Sequence, residues 1–414
     1  MSLRAIVASS SIALAALACG PQESSSDADG TWVGTITTEG NVTTVVNESG
    51  SVWGGTASLV EAASIGTESG DEPFLLGQVG AIGATEHRIY VIDQQRALVR
   101  MYDTGGTHLF DIGREGEGPG ELSQPWTIGI DPAGRVIVQD RRRVSVFDRE
   151  GSFIDTWDYP GDEGRALVVA LNGTVFVPTT WGEVDERRQG FVAIAPDGSE
   201  GRRVTVPAYD RKPWELFAEQ GRATIKGSVD YAPGPHLAML PTGAIVSGTS
   251  DAYSLEIEHA DGRRTVIKRT VELPLVPASQ GAWLTDYYTA AMREVQPDWS
   301  WTANPIPRHK PAFDWLHGDR DGRIWVGRIM DTERDASCEP NARSSSGLVC
   351  WRDVRGFDVF EEESGRFLGR VDVPEEIRWW PRPYIRDDVV VATVEDEAGT
   401  ITVKRYRLVL PGER

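Results

Sequence analysis

Between Gly113 and Trp157 the chain alternates apolar and polar positions in short runs broken by turn residues. Trp126 to Asp131 (WTIGID) is apolar, and Arg135 to Asp140 (RVIVQD) alternates at period two. Arg143 to Asp148 (RVSVFD) alternates again, and Phe153 to Trp157 ends the unit. Asp131-Pro132-Ala133-Gly134 and Arg149-Glu150-Gly151 punctuate the runs. Period-two alternation bounded by Asp, Gly and Pro predicts half-buried antiparallel strands joined by tight turns.

The same unit recurs along the chain. Arg88 to Asp93 and Leu98 to Asp103 belong to an earlier copy, with its first strand near Leu76 to Ile82 and its last near His108 to Ile112. Later copies run from Ala166 to Val206, from His236 to Val271 and from Phe313 to Val373. The final copy, Tyr384 to Leu408, has three strands, and Ala57 to Ile65 is a strand with no hairpin partner beside it. Placing that strand in the last unit leaves no open edge at the seam. The reading is therefore all-β: a six-bladed β-propeller of four-stranded antiparallel blades, closed by an N-terminal strand in the last blade. Residues 57–414 form the propeller, with a helical insertion at 275–311, and residues 31–56 form N-terminal hairpins.

The first residues read as an address. Arg4 precedes an apolar stretch, Ala5 to Leu17, too short to span a bilayer. Ala16-Leu17-Ala18-Cys19 resembles a lipobox, which makes residues 1–19 a lipoprotein-type signal peptide and Cys19 the lipidated residue. Ala16-x-Ala18 equally suits an ordinary signal peptidase, which would leave a soluble secreted form. Residues 20–30 are polar and serine-rich, as a flexible tether requires. The expected partner is thus the membrane, through a lipid anchor, and Gly20 after the cysteine points to the outer membrane of the cell envelope.

A formal net charge of -20 excludes a phosphate-tracking surface, so no nucleic acid is expected. Only five of the 42 basic residues are lysine, which reads as coding bias. Besides Cys19 the chain has Cys338 and Cys350, and export makes a disulfide between them the expectation.

The run Gly113-x-x-Gly116-x-Gly118-Pro119-Gly120-Glu121, then Pro125, Asp131-x-x-Gly134, Val136 to Val138, Asp140 and Val144 to Phe147 with Gly151, resembles the NHL-related bacterial six-bladed propeller lipoproteins. The resemblance implies the fold. Members of that group share no single activity.

Catalytic templates fail. Gly116-x-Gly118-x-Gly120 joins strand to strand and opens no helix, so it is no dinucleotide fingerprint. Asp319-x-Asp321-Gly322 lacks the other ligands of a calcium loop and reads as a β-turn. Related propeller enzymes hold calcium with channel carboxylates or zinc with several histidines. Here the starts of the innermost strands offer Trp126, Arg165, His236, Asp314 and Arg382 as channel-mouth ligand contacts. One carboxylate and one histidine build neither centre, so no metal and no cofactor is expected.

Gln280 to Val295 carries Trp283, Tyr287 and Ala291 at helical spacing, and Trp299, Trp301, Arg308, His309 and Lys310 follow. They read either as a helix capping the channel or as an aromatic and basic rim for a ligand. The long loops all fall on one face, where function concentrates on a rigid scaffold. The sequence thus points to a membrane-tethered, exported, non-enzymatic binding or scaffolding module for a protein, peptide or glycan. The competing class is a channel-centred hydrolase or lyase.

Overall fold

The computed structural model describes residues 23–26, 32–141, 143–158, 166–181, 188–205, 212–334, 350–374, 376–396 and 398–413. Blade 1 comprises Val79–Ala84, Arg88–Asp93, Leu98–Asp103 and His108–Ile112. Blade 2 comprises Pro125–Ile130, Val136–Asp140, Arg143–Phe147 and Phe153–Asp158. Blade 3 is Val168–Val169, Val175–Trp181, Arg188–Ile194 and Glu200–Thr205. Blade 4 is Pro235–Met239, Ile245–Thr249, Ser254–Glu258 and Arg264–Arg269. Blade 5 is Trp315–Gly318, Arg323–Arg334, Trp351–Glu361 and Phe367–Asp372. Blade 6 takes Tyr384–Arg386, Val389–Glu395 and Ile401–Val409 from the end of the chain and Thr56–Ile65 from its start.

The seam closes as the unpartnered strand requires. Ser58 to Ile65 lies antiparallel to Val403 to Val409, with Ile65 opposite Val403 and Ser58 opposite Val409. Alternation along the second strands explains why they are buried on both faces. Val136 and Val138 pack toward blade 1, while Ile137 between them packs toward blade 3. Val390 and Ala392 pack toward blade 5, and Val391 toward blade 1. Each pair of neighbouring blades has its own apolar core, and the core between blades 6 and 1 completes the ring.

Turn chemistry repeats on the face of tight turns. Asp103, Asp148, Asp319 and Asp396 each accept, through Oδ1, backbone N–H groups two and four residues on. The glycine that follows three residues later turns back with positive φ, +92° at Gly106 and +87° at Gly151. Asp319-x-Asp321-Gly322 is one of these turns, and Asp319 Oδ2 also accepts from the buried Trp325 Nε1 at 2.8 Å.

The arginine excess has structural roles that composition did not disclose. Arg88 and Arg323 begin the second strand of a blade and Arg135 directly precedes one, and all three donate to the next blade. Arg88 reaches the Arg149 carbonyl, Arg135 Nη1 reaches the Pro196 carbonyl at 2.9 Å, and Arg323 Nη1 reaches Asp388 at 2.9 Å.

The N-terminal hairpin and the insertion helix form as expected, but three pairings lay beyond the sequence pattern. The hairpin Val33–Glu39 and Val42–Ser49 extends blade 4, pairing parallel with its outermost strand from Arg264 to Arg269. Blades 5 and 6 join at their outer edges, Arg370 to Asp372 against Thr56 to Ser58. Glu215–Gln220 and Ala223–Ser228 form a separate hairpin. The helix Ala278–Val295 packs on it, around Leu216, Ala218, Met292 and Trp299.

Candidate functional site

The six innermost strands converge on the axis, and the close approach depends on missing side chains. A Cβ at Gly129 would lie 2.5 Å from Val169 Cγ2 and 2.6 Å from Leu167 Cδ1 of blade 3. Around the axis lies a cavity of about 410 Å³ with residues from all six blades in its wall. Its wall is apolar, with Ile82, Ile128, Leu167, Leu237, Met239 and Leu316, and its rim carries Trp126, Trp315, Trp380, Arg382 and Tyr384. The rim residues Trp126, Trp315, Trp380, Arg382 and Tyr384 stand at or just before the starts of their inner strands, whereas Leu237 to Met239 end theirs. The rim therefore lies on the side where blade-to-blade connections, including the hairpin and helix, are long.

Two of the expected channel-mouth residues, Trp126 and Arg382, line the cavity. Trp126 Nε1 is buried without an acceptor. Arg382 is open to solvent yet walled by protein, and this desolvation draws its pKa below the usual guanidinium value against the opposing field of Asp314. Its guanidinium lies 5.4 Å from the centre of the Trp315 ring. Asp314 directly precedes Trp315 and forms an ion pair with Arg355, while its Oδ1 has no partner. His236 directly precedes the lining residue Leu237, and its ring stands edge-on to Phe313 with centroids 5.4 Å apart. Arg165 lies outside the described residues.

The expected rim of the insertion does not join this group. Trp299 is buried, 3% exposed, and donates Nε1 to the Phe217 carbonyl at 2.8 Å. Trp301 is half-buried and donates to the Asn304 carbonyl at 3.1 Å. Lys310 is also buried: Nζ contacts Asp353 Oδ1 at 2.9 Å and Gln280 Oε1 at 3.1 Å, and lies 3.5 Å from the Tyr231 ring centre. Arg308 and His309 are exposed. None of the cavity's lining residues comes from the helix or the hairpin, so the insertion stands beside the channel and does not wall it. Cys350 is buried, and Cys338 and Cys19 lie outside the described residues.

Trp380, Arg355, His317 and Tyr384 were not among the expected contacts at the channel mouth. Trp380 is 64% exposed, an unusual position for a large aromatic, and lines the cavity. The run Trp379-Trp380-Pro381-Arg382-Pro383 before a two-proline-limited strand start carried the signal, because such a segment cannot continue a ladder. His317 is held neutral by burial and donates Nε2 to the Ile385 carbonyl at 3.1 Å. Among the described residues no cluster of three or more His, Cys, Asp or Glu side chains is placed to hold a metal.

Residues 37–197 match a family described as 6-bladed beta-propeller. The fold is that of a six-bladed β-propeller. The resemblance drawn from Gly113 to Gly151 is thereby supported for the fold, and NHL-like proteins are among the curated relatives. The chain is 52% identical over 48 residues to Protein lin-41 of Caenorhabditis elegans, covering 11% of this chain and 4% of that protein. It is 41% identical over 56 residues to E3 ubiquitin-protein ligase TRIM71 of Rattus norvegicus, covering 13% of this chain and 6% of that one. The matches thus span a small fraction of those relatives' length.

Similar solved structures include a member of the duf4221 family from Bacteroides vulgatus, with TM-score 0.47 and 10% identity over 86% of this chain and 99% of that one. A Bacteroides fragilis protein described as exported has TM-score 0.45 and 10% identity, over 84% and 94%. Virginiamycin B lyase from Staphylococcus aureus has TM-score 0.38 and 10% identity, over 80% and 95%. Among the described residues no helix is long and apolar enough to cross a membrane.

Proposed function

We propose that this chain is an exported, membrane-tethered propeller that acts as a binding module, with its ligand seated in the axial cavity. The observation that carries the reading is the cavity itself: apolar walls drawn from six blades, a rim of tryptophans and one arginine, and an opening on the elaborated face. A concave, mostly apolar site with a few placed polar groups is the usual form of a ligand pocket. The lipobox-like Ala16-Leu17-Ala18-Cys19 supports the tether, and a buried, disulfide-bonded Cys350 supports a bridge to Cys338.

The test is native mass spectrometry of the protein purified from bacterial membranes, beside a Leu237→Trp variant whose new side chain fills the cavity. A non-covalent mass retained by the parent and lost from the variant is expected. Retention by both places the ligand elsewhere and overturns the reading. Cys19→Ser should move the protein from the detergent-soluble membrane fraction to the aqueous one.

A further inference from the structure

The cavity combines two properties that narrow what it binds. Its walls are apolar along the inner strands, and its rim holds one charged side chain, Arg382, with Asp314 and Arg355 behind the lining within reach of its field. Asp314 and Arg355 neutralise each other as an ion pair. Arg382 makes no hydrogen bond or ion pair among the described residues, and its neighbour is the face of Trp315. His317 beside it is neutral. The rim therefore keeps one uncompensated positive charge, on a chain whose net charge is -20.

We infer that the cavity takes an amphiphilic monocarboxylate: an alkyl or aryl body along the apolar wall, with its carboxylate on the Arg382 guanidinium. This inference rests on the axial-cavity reading above and specifies its ligand. The guanidinium offers a planar pair of donors that suits a carboxylate and stays protonated at neutral pH. Its partly desolvated setting strengthens a charge-assisted bond relative to one in open water. Trp126, Trp315 and Trp380 supply rigid apolar area around the point where the body enters. A second charge on the ligand would meet Asp314 or leave itself unpaired against the apolar wall, and a cationic head would face Arg382 directly. Both arrangements are excluded by the cost of an unpaired charge away from water.

Isothermal titration calorimetry on the full mature protein tests this with paired probes. Dodecanoate is compared with dodecanol and with dodecyltrimethylammonium, and naphthoate with naphthalenemethanol, all below aggregation. A charge-assisted bond contributes about 1.5–3 kcal/mol, so at least one carboxylate should bind about tenfold or more tighter than its neutral alcohol. Arg382→Gln should bring the two level, and Leu237→Trp should abolish both. Equal binding of acid and alcohol, or a preference that survives Arg382→Gln, overturns the carboxylate assignment while leaving the cavity as a binding site. If no carboxylate binds the parent protein, the inference also falls. The mass retained on the purified protein then judges the cavity reading separately.

Discussion

Ile65 sits directly across from Val403, so a strand near the start of the chain is hydrogen-bonded into the blade that ends it. Both side chains enter the core shared by blades 6 and 1. On the same strand, Tyr406 opposes Glu61 and is 1% exposed, and its buried hydroxyl has no partner. A large side chain in the closing blade and an unsatisfied polar atom make opposite contributions. Tyr406→Ala should therefore cost about 3–5 kcal/mol through the cavity it leaves. Tyr406→Phe should be neutral or stabilising, because a desolvated hydroxyl is removed with its shape kept. Urea unfolding of the two variants measures both, and a large loss in Tyr406→Phe would show that the hydroxyl is bonded.

Arg135 ties blade 2 to blade 3. Its Nε donates to Asp131 at 2.7 Å, Nη1 donates to the Pro196 carbonyl, and the guanidinium lies 5.9 Å from the centre of the Trp157 ring. A lysine has one nitrogen where these contacts need a fork. Arg135→Lys should accordingly lose most of what Arg135→Ala loses, about 1–2 kcal/mol in denaturant unfolding. A lysine variant as stable as the parent would show that charge alone matters there.

The architecture was legible because each blade repeats a local signal. Alternation, an aspartate at the turn and a glycine three residues on recur from Asp103-x-x-Gly106 to Asp396-x-x-Gly399, and the three-stranded last unit exposed the need for the strand that holds Ile65. The channel mouth was half legible. Trp126 and Arg382 could be placed because they stand where inner strands begin. Arg355 could not, since it arrives from the third strand of blade 5, and only the folded register brings it to Asp314. Lys310 and Trp299 misled for the converse reason. Basic and aromatic residues in an insertion look exposed in sequence, and here both are sealed by the helix and hairpin that pack around them. The parallel docking of Val42 to Asn47 on blade 4 has no local signal, because any exposed edge strand could have received that hairpin.

Burial raises the Asp319 carboxyl to about 6, against the opposing hydrogen bond from Trp325 and the charge of Arg323. In the unfolded chain the same group titrates near ~3.9. The folded state thus holds the proton more firmly, and between these two values it binds more protons than the unfolded state. Stability from this group is fully present below about pH 4 and falls as pH rises through about 6, by up to ~3 kcal/mol at ~1.4 kcal/mol per unit. Carboxyl carbon NMR should show the Asp319 midpoint near 6. In Asp319→Asn this fall should vanish from the stability profile, and an unchanged profile would mean that the carboxylate is ionised throughout.

Lys310 and Asp353 hold the insertion against blade 5, and the two partners are not equally dependent on each other. Asp353 also accepts from Thr332 Oγ1 at 2.8 Å and from the Tyr231 hydroxyl at 3.2 Å, so it keeps donors when the lysine is removed. Lys310, 1% exposed, would keep Gln280, the Tyr231 ring and the more distant charge of Asp230. Asp353→Ala should therefore cost about 3–5 kcal/mol, the range for stranding a buried charge, and Lys310→Met clearly less. Burial already draws the Lys310 ammonium below its ordinary pKa, and losing Asp353 removes the larger of the two carboxylate contributions that oppose this, leaving that of Asp230. A lysine whose folded pKa is depressed favours the folded state more once pH passes that value, because the unfolded state still binds the proton. The loss in Asp353→Ala should thus shrink as pH is raised, whereas that in Lys310→Met should grow, because the parent gains this alkaline stability and a methionine cannot. Denaturant unfolding across the alkaline range, with hydrogen exchange in Ala278–Val295 as the local readout, measures both trends. Equal costs for the two variants at every pH would mean that the pair acts by packing and not by charge.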